Sequence, residues 1–235
     1  MSQPKVWITS DLHLNHSRVP LFSSTSLEQN GLSHIKTIED WNEMIISRIN
    51  QLVREQDTLW ILGDVGFGPV DELKTLINRI NGHKILVMGN HDKFSMATAY
   101  HLGFEKVYDS PTFLPGTRGM ILLSHAPAFE AYVSPYIACN LHGHIHEGTL
   151  TLPRFFNMNI SMNDYYPVDA AKFLKYTANS RYESFLHEWY IAWEKTINMN
   201  RKDVVLKPNG YIDLAASANN PQLERYTAKN EECKD

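Results

Sequence analysis

The chain has 235 residues, 43% hydrophobic and 20% charged, and its 22 Lys and Arg against 26 Asp and Glu leave a formal net charge of −4. That length holds about one domain with an appended piece and can bury a real core, and the balance excludes disordered, collagen-like and supercharged classes. Cys139 and Cys233 are too few for a disulfide framework, Val6-Trp7-Ile8 is too short for a signal peptide or membrane span, and no basic run exceeds Arg201-Lys202; a cytoplasmic protein without membrane or duplex nucleic-acid partners is expected.

In chain order, the first predicted strand is Lys5-Val6-Trp7-Ile8-Thr9, which runs into the polar Ser10-Asp11-Leu12-His13. Residues 23–34 are polar and aperiodic, as a loop at the rim of a site would be. From Thr37 to Val53 the apolar Ile38, Trp41, Ile45, Ile49, Leu52 and Val53 recur at helical spacing, with Thr37 a fitting N-cap. A second strand, Thr58 to Leu62, leads into Gly63-Asp64, and a helix from Val70 to Ile80 follows Pro69 with Leu73, Leu76, Ile77 and Ile80 on one face. A third strand, Lys84 to Met88, ends in Gly89-Asn90-His91-Asp92.

Phe113 to Ile121 reads as two strands joined by a Gly- and Pro-rich turn, so part of the sheet should be antiparallel. Met120 to Leu123 leads into Ser124-His125, and Ile137 to Leu141 into His142-Gly143-His144-Ile145-His146. Arg154 to Ser161 predicts one more strand, Asp164 to Pro167 a turn and Val168 to Tyr176 a short helix. Arg181 to Asn198 predicts a longer helix whose aromatic stripe is a core face, and Tyr211 to Leu214 a last strand before a polar tail. The expected division is a domain over 1–175 and a C-terminal helical extension and tail over 176–235 packed on it. The expected fold class is α/β with mixed sheets.

Five apolar runs thus end in clusters of Asp, Asn, His and Gly, and in layered α/β folds ligands gather at the carboxyl ends of strands. Asp11-Leu12-His13 and His144-Ile145-His146 each put two donors two residues apart, which in extended backbone face the same side. Asp11, His13, Asp64, Asn90, His125, His144 and His146 offer seven donors, enough for two divalent ions if one carboxylate bridges them. Two such ions and two carboxylates, with neutral imidazoles and a neutral amide, leave about +2, an excess suited to an anionic phosphate. Mixed imidazole and carboxylate ligation fits manganese, iron, zinc or nickel better than magnesium, and manganese is taken as the first choice.

Taken one by one these motifs are ordinary: Asp-x-His occurs by chance, Gly-Asp and Gly-Asn-His-Asp make good turns, and His-x-His can be a surface pair. Together, in this order, they resemble the calcineurin-like metallophosphoesterase superfamily, over residues 5 to about 175, and specifically its small single-domain phosphoesterases. The resemblance implies two packed β-sheets flanked by helices. It also implies one ion on Asp11, His13, Asp64 and His146 and another on Asp64, Asn90, His125 and His144, with Asp64 as the bridge and His91 as the catalytic histidine. Protein serine/threonine phosphatases of the superfamily carry Gly-Asp-x-x-Asp-Arg-Gly, whereas this chain has Gly63-Asp64-Val65-Gly66-Phe67-Gly68; Phe67 stands where they have an acid, against a protein substrate.

The expected activity is hydrolysis of a small phosphate ester, a monoester such as a nucleotide or a diester, by water activated between two ions held roughly 3.5–4 Å apart. The expected partner is that small substrate. Two alternatives stand beside it: a single-strand nuclease of the same superfamily, and an inactive scaffold with the same fold. His16 and Arg18 are further candidates for substrate contact, the latter as a forked phosphate donor.

Overall fold

The computed structural model describes residues 3–117, 120–128, 137–148, 150, 152 and 154–177, all within a compact unit that spans 1–182. The helix expected from Arg181 to Asn198 and the strand from Tyr211 to Leu214 lie outside the described residues.

Chain order is β1 (Val6–Thr9), α1 (Val19–Phe22), α2 (Ser24–Gln29), α3 (Ile38–Leu52), β2 (Thr58–Ile61), α4 (Val70–Ile77), β3 (His83–Val87), α5 (Met96–Leu102) and β4 (Lys106–Tyr108). There follow β5 (Thr112–Phe113), β6 (Ile121–Leu123), β7 (Cys139–His142), β8 (Phe155–Asn157), a 3-10 turn (Ile160–Asn163), β9 (Val168–Asp169) and α6 (Ala171–Thr177). One sheet has the order β4-β3-β2-β1-β9, parallel except for the antiparallel β1–β9 pair, and the other β5-β6-β7-β8, parallel except for β5–β6.

The alternation of side chains along the parallel strands builds two cores at once, since strands covered on both faces are apolar throughout. Trp7, Leu59, Ile61 and Leu86 turn to the helices and join Trp41, Ile45 and Ile49 of α3 and Leu73 and Ile77 of α4. Ile8, Trp60 and Val87 turn the other way and meet Ile121, Leu123, Cys139 and Leu141 of the second sheet. The mixed, two-sheet α/β architecture expected from the sequence is therefore the one observed.

Helix α3 begins where expected: Thr37 Oγ1 accepts from Asp40 N–H at 3.1 Å while Asp40 Oδ2 accepts from Thr37 N–H at 3.0 Å, a reciprocal cap. Asp57 ties the same region together. Its buried carboxylate accepts from Lys5 N–H (2.9 Å), Trp7 Nε1–H (3.1 Å) and the Arg54 guanidinium (2.7 Å), so the start of β1, the end of α3 and the start of β2 share one anchor.

Four local expectations change. Residues 23–34 are not all loop: α2 occupies Ser24–Gln29, and Leu27 and Leu32 are buried. A six-residue helix holds too few turns to display periodicity. Helix α4 stops at Ile77, three residues early, although Ile80 is still buried. The strand expected from Arg154 to Ser161 is confined to β8, after which the chain turns through the 3-10 segment, because Asn159 Oδ1 takes the Ser161 N–H at 2.9 Å. Val168 and Asp169 open as strand β9 against β1, and Asp169 then accepts the Ala171 N–H at 2.9 Å to start α6.

Candidate metal centre

The loops after β1, β2, β3, β6 and β7 all open at the carboxyl ends of their strands and bring the seven candidate donors together. The β1 and β2 loops stay zipped beyond the strands: Asp11 N–H donates to Gly63 O, His13 N–H to Asp64 O and Leu14 N–H to Val65 O, each at 3.0 Å. The pairs are not extended, as the spacing had implied. Asp11, His13, Asp64, His144 and His146 have φ of 58, 46, 54, 71 and 46°, in the left-handed region. Non-glycine residues there are strained and persist where surrounding contacts over-determine them, commonly at functional sites. The left-handed turns supply the convergence that strand geometry was expected to give.

Ligand atoms of Asp11, His13 and His146 lie within 4.8 Å of one another, as do those of Asp11, Asp64 and His125. Asp11 is common to both groups, and Asp64 Oδ2 lies 4.0 Å from His13 Nε2 and 3.4 Å from His125 Nε2. Asn90 Oδ1 completes the far side, 2.7 Å from His125 Nε2 and 2.8 Å from His144 Nδ1. On the near side the His13 and His146 rings stack at 5.1 Å. Asp11, His13, Asp64 and His125 are buried, whereas Asn90, His144 and His146 are exposed at the mouth.

Among the described residues, Asp64 Oδ2 and both ring nitrogens of His13 are buried without a hydrogen-bond partner. Orphaned buried polar atoms are rare and costly, and here two orphaned atoms face one another across a gap the length of two coordination bonds to a transition metal. The donors therefore fit divalent cations. Protonation fits as well. Burial lowers the His13 imidazole to about 4, so it is neutral at physiological pH. Burial alone would raise the Asp64 carboxyl, but His125, the His91 N–H and His13 together hold it below its ordinary range, so it is ionised. Burial raises Asp11, and Asp64 outweighs desolvation to raise His125.

Several residues that hold the donors escaped the sequence reading. Asp92, considered only as a turn residue, accepts from Asp64 N–H (3.0 Å), Val65 N–H (2.9 Å) and Gly89 N–H (2.8 Å) and so clamps the β2 and β3 loops together. Asn157 Nδ2 donates to His146 O at 2.7 Å and fixes the β7 loop. From α3, Trp41 Nε1–H donates to Leu12 O at 3.0 Å, and Asn42 exchanges two bonds with Asn15. The Gly143 in the His-x-His motif is needed because a Cβ there would collide with Ser10 Oγ and the Asp11 carboxylate. Side-chain bonds to distant backbone have no periodicity by which to be found.

His91 is exposed at the mouth. Its backbone N–H donates to Asp64 Oδ1 at 2.9 Å, and its ring lies 5.6 Å from Phe67 and 6.1 Å from His13. No hydrogen bond to its imidazole occurs among the described residues, and the Phe67 ring packs beside it. His16 lines a cavity of about 150 Å³ together with Asp11, His13, His91 and His146, whereas Arg18 is exposed and off that lining. Burial lowers the pKa of His142, at the end of β7, and its Nδ1 lies 3.0 Å from Gly143 O.

A two-sheet α/β unit whose strand ends gather carboxylates and imidazoles into groups able to hold metal has the framework of a metal-dependent hydrolase. The chain belongs to the calcineurin-like phosphoesterase family, whose model matches residues 4–212. It is 26% identical over 178 residues to an uncharacterized protein, MJ1445, of Methanocaldococcus jannaschii, covering 72% of this chain and 88% of that one. It is 29% identical over 203 residues to the Gene 66 protein of Mycobacterium phage D29, covering 71% and 94%. In fold it is similar to a solved protein of unknown function, AQ665 from Aquifex aeolicus, with a TM-score of 0.57 at 24% identity, over 74% of this chain and 99% of that one. No helix among the described residues is long and apolar enough to cross a membrane.

Proposed function

We propose that this chain is a phosphohydrolase that works with two divalent ions, manganese first among them, on small phosphate esters. The observation that carries the reading is the buried, unpartnered Asp64 Oδ2 between His13 and His125. A buried ionised oxygen without a hydrogen bond costs several kcal/mol, roughly, and a cation on each side offsets that cost. Asp11, His13, Asp64 and His146 would hold one ion, and Asp64, Asn90, His125 and His144 the other. When bound, such ions supply Lewis acidity toward phosphoryl oxygens and make water nucleophilic near neutral pH.

The protein's own groups do the rest. Neutral His13 and neutral Asn90 keep the centre from being cancelled by its ligands, so it attracts an anionic ester. His91, exposed, lining the cavity and with a ring that makes no hydrogen bond among the described residues, can carry a proton on an imidazole nitrogen to the departing ester oxygen. Its backbone bond to Asp64 keeps that ring beside the bridging carboxylate. General acid catalysis of this kind contributes typically about 10²- to 10⁴-fold.

The direct test is to deplete the protein of metal, reconstitute it with manganese, and assay p-nitrophenyl phosphate, bis-p-nitrophenyl phosphate and a single-stranded oligonucleotide. Metal-dependent cleavage of one or both small esters, with the oligonucleotide slower, is expected. Cleavage of the oligonucleotide alone would replace this reading with a nuclease, and no cleavage of any would leave a scaffold.

A further inference from the structure

The cavity of about 150 Å³ is lined both by Asp11, His13 and His146 of the metal centre and by the aromatic rings of Phe22, Trp41 and Phe67. His16 meets Phe67 edge-on at 4.6 Å and Phe22 at 6.2 Å, and the buried Trp41 also lines the hollow. Phe22 is 65% exposed at the rim of this lining. Neither Lys nor Arg lines the cavity, so it is not built for a second phosphate. Asp11, His13 and His146 would hold the reacting phosphoryl end of an ester at one end of this lining, and His91, the group proposed to protonate the departing oxygen, belongs to it too, so the part of the substrate beyond that oxygen lies against the aromatic rings.

We infer that this cavity is the leaving-group subsite of the enzyme, that it takes a single planar aromatic ring, and that Phe22, Phe67 and His16 select for that ring. The inference rests on the phosphohydrolase reading above, which fixes the reacting end of the substrate. Size bounds the number of rings: about 150 Å³ is the volume of a cavity that takes one benzene, and here Asp11, His13 and His146 share the lining, so no more than one ring fits. Chemistry sets their kind, since faces and edges of aromatic side chains favour another aromatic ring over an aliphatic group of equal area. Stacking on such side chains is sequence-tolerant, so a pyrimidine base and a simple aryl group are both candidates, and the substrate pairs below separate them.

Two pairs of monoesters of primary alcohols test this with manganese-loaded protein: uridine 5′-monophosphate against ribose 5-phosphate, and benzyl phosphate against cyclohexylmethyl phosphate. In each pair only one member carries the planar ring. We expect kcat/KM to favour the ring in at least one pair by about tenfold, chiefly through KM, and the pair that shows it identifies the ring as base or aryl. Phe22→Ala should reduce that preference to near unity and Phe22→Tyr should retain it; Phe22 is exposed, so neither change threatens the fold. Equal kcat/KM within both pairs, or a preference unchanged in Phe22→Ala, overturns the subsite and leaves the phosphohydrolase standing. If no ester is cleaved, that function fails, and calorimetric titration with uridine, which has no ester to lose, decides the subsite. Saturable binding abolished by Phe22→Ala supports it, and no binding overturns it.

Discussion

Asp64, His13 and His91 are neighbours with three different tasks, set by burial. Asp64 is sunk and ionised, His13 is sunk and neutral, and His91 stands at the mouth with its ring open to a substrate. His91→Ala should therefore cut kcat by about a hundredfold or more while metal content stays that of the wild type; loss of metal in that variant would make His91 structural. His13 gives a pH prediction for the metal-free protein. Its folded value of about 4 lies below the ordinary 6.5, so below pH 6.5 the unfolded chain takes up a proton the folded chain refuses. That stability is complete above 6.5, falls as pH drops toward about 4, and is flat below. Thermal midpoints of metal-free wild type and His13→Gln should thus converge between pH 6.5 and 4, with the variant gaining; a constant difference would contradict the assignment. These donors were legible in the sequence because each follows an apolar run, a pattern set by local chain chemistry. Their left-handed backbone was not, because it is imposed by the partner loop.

At the scale of elements, strands β1, β2, β3, β6 and β7 and helix α3 were readable from apolar runs, periodicity and a cap, all local signals. Helix α5 was not read, because its seven residues hide Ala99 and Leu102 against the core within a segment without repeating pattern. Residues 93–104, which contain that helix, supply nothing to the cavity. Residues 15–34 do supply it, through His16, Val19, Phe22 and Ser23. Asp57 was equally invisible, since its importance is the joining of β1, α3 and β2. Its five donors hold the carboxyl well below the usual carboxylate range, Arg54 contributing most. The stabilisation it gives is present above about 3.9, where the unfolded carboxyl ionises, and is lost as pH falls through the lower folded value. Asp57→Ala should cost about 3 kcal/mol at pH 7, read from urea midpoints, with the gap to wild type narrowing in strong acid; a cost below about 0.5 kcal/mol would show that the anchor is dispensable.

Across the whole molecule, one sheet supplies Asp11, His13, Asp64 and Asn90 and the other His125, His144 and His146, so the site exists only when the sheets are packed. Ile8, Trp60 and Val87 against Ile121, Leu123 and Leu141 are the contacts that set the distance between the two sets of donors. The backbone bonds from Gly143 N–H to His125 O (2.8 Å) and from His144 N–H to the Asp11 carboxylate (3.1 Å) carry that register into the loops. Metal binding to the folded state alone should accordingly raise the thermal midpoint in a concentration-dependent way, and by the same linkage chelation should lower it. The measurement closest to the central claim is elemental analysis of the manganese-reconstituted chain beside its Asp64→Ala variant. The account predicts two ions per wild-type chain and at most one in the variant. A wild type without stoichiometric metal, or a variant that keeps both ions, would contradict it.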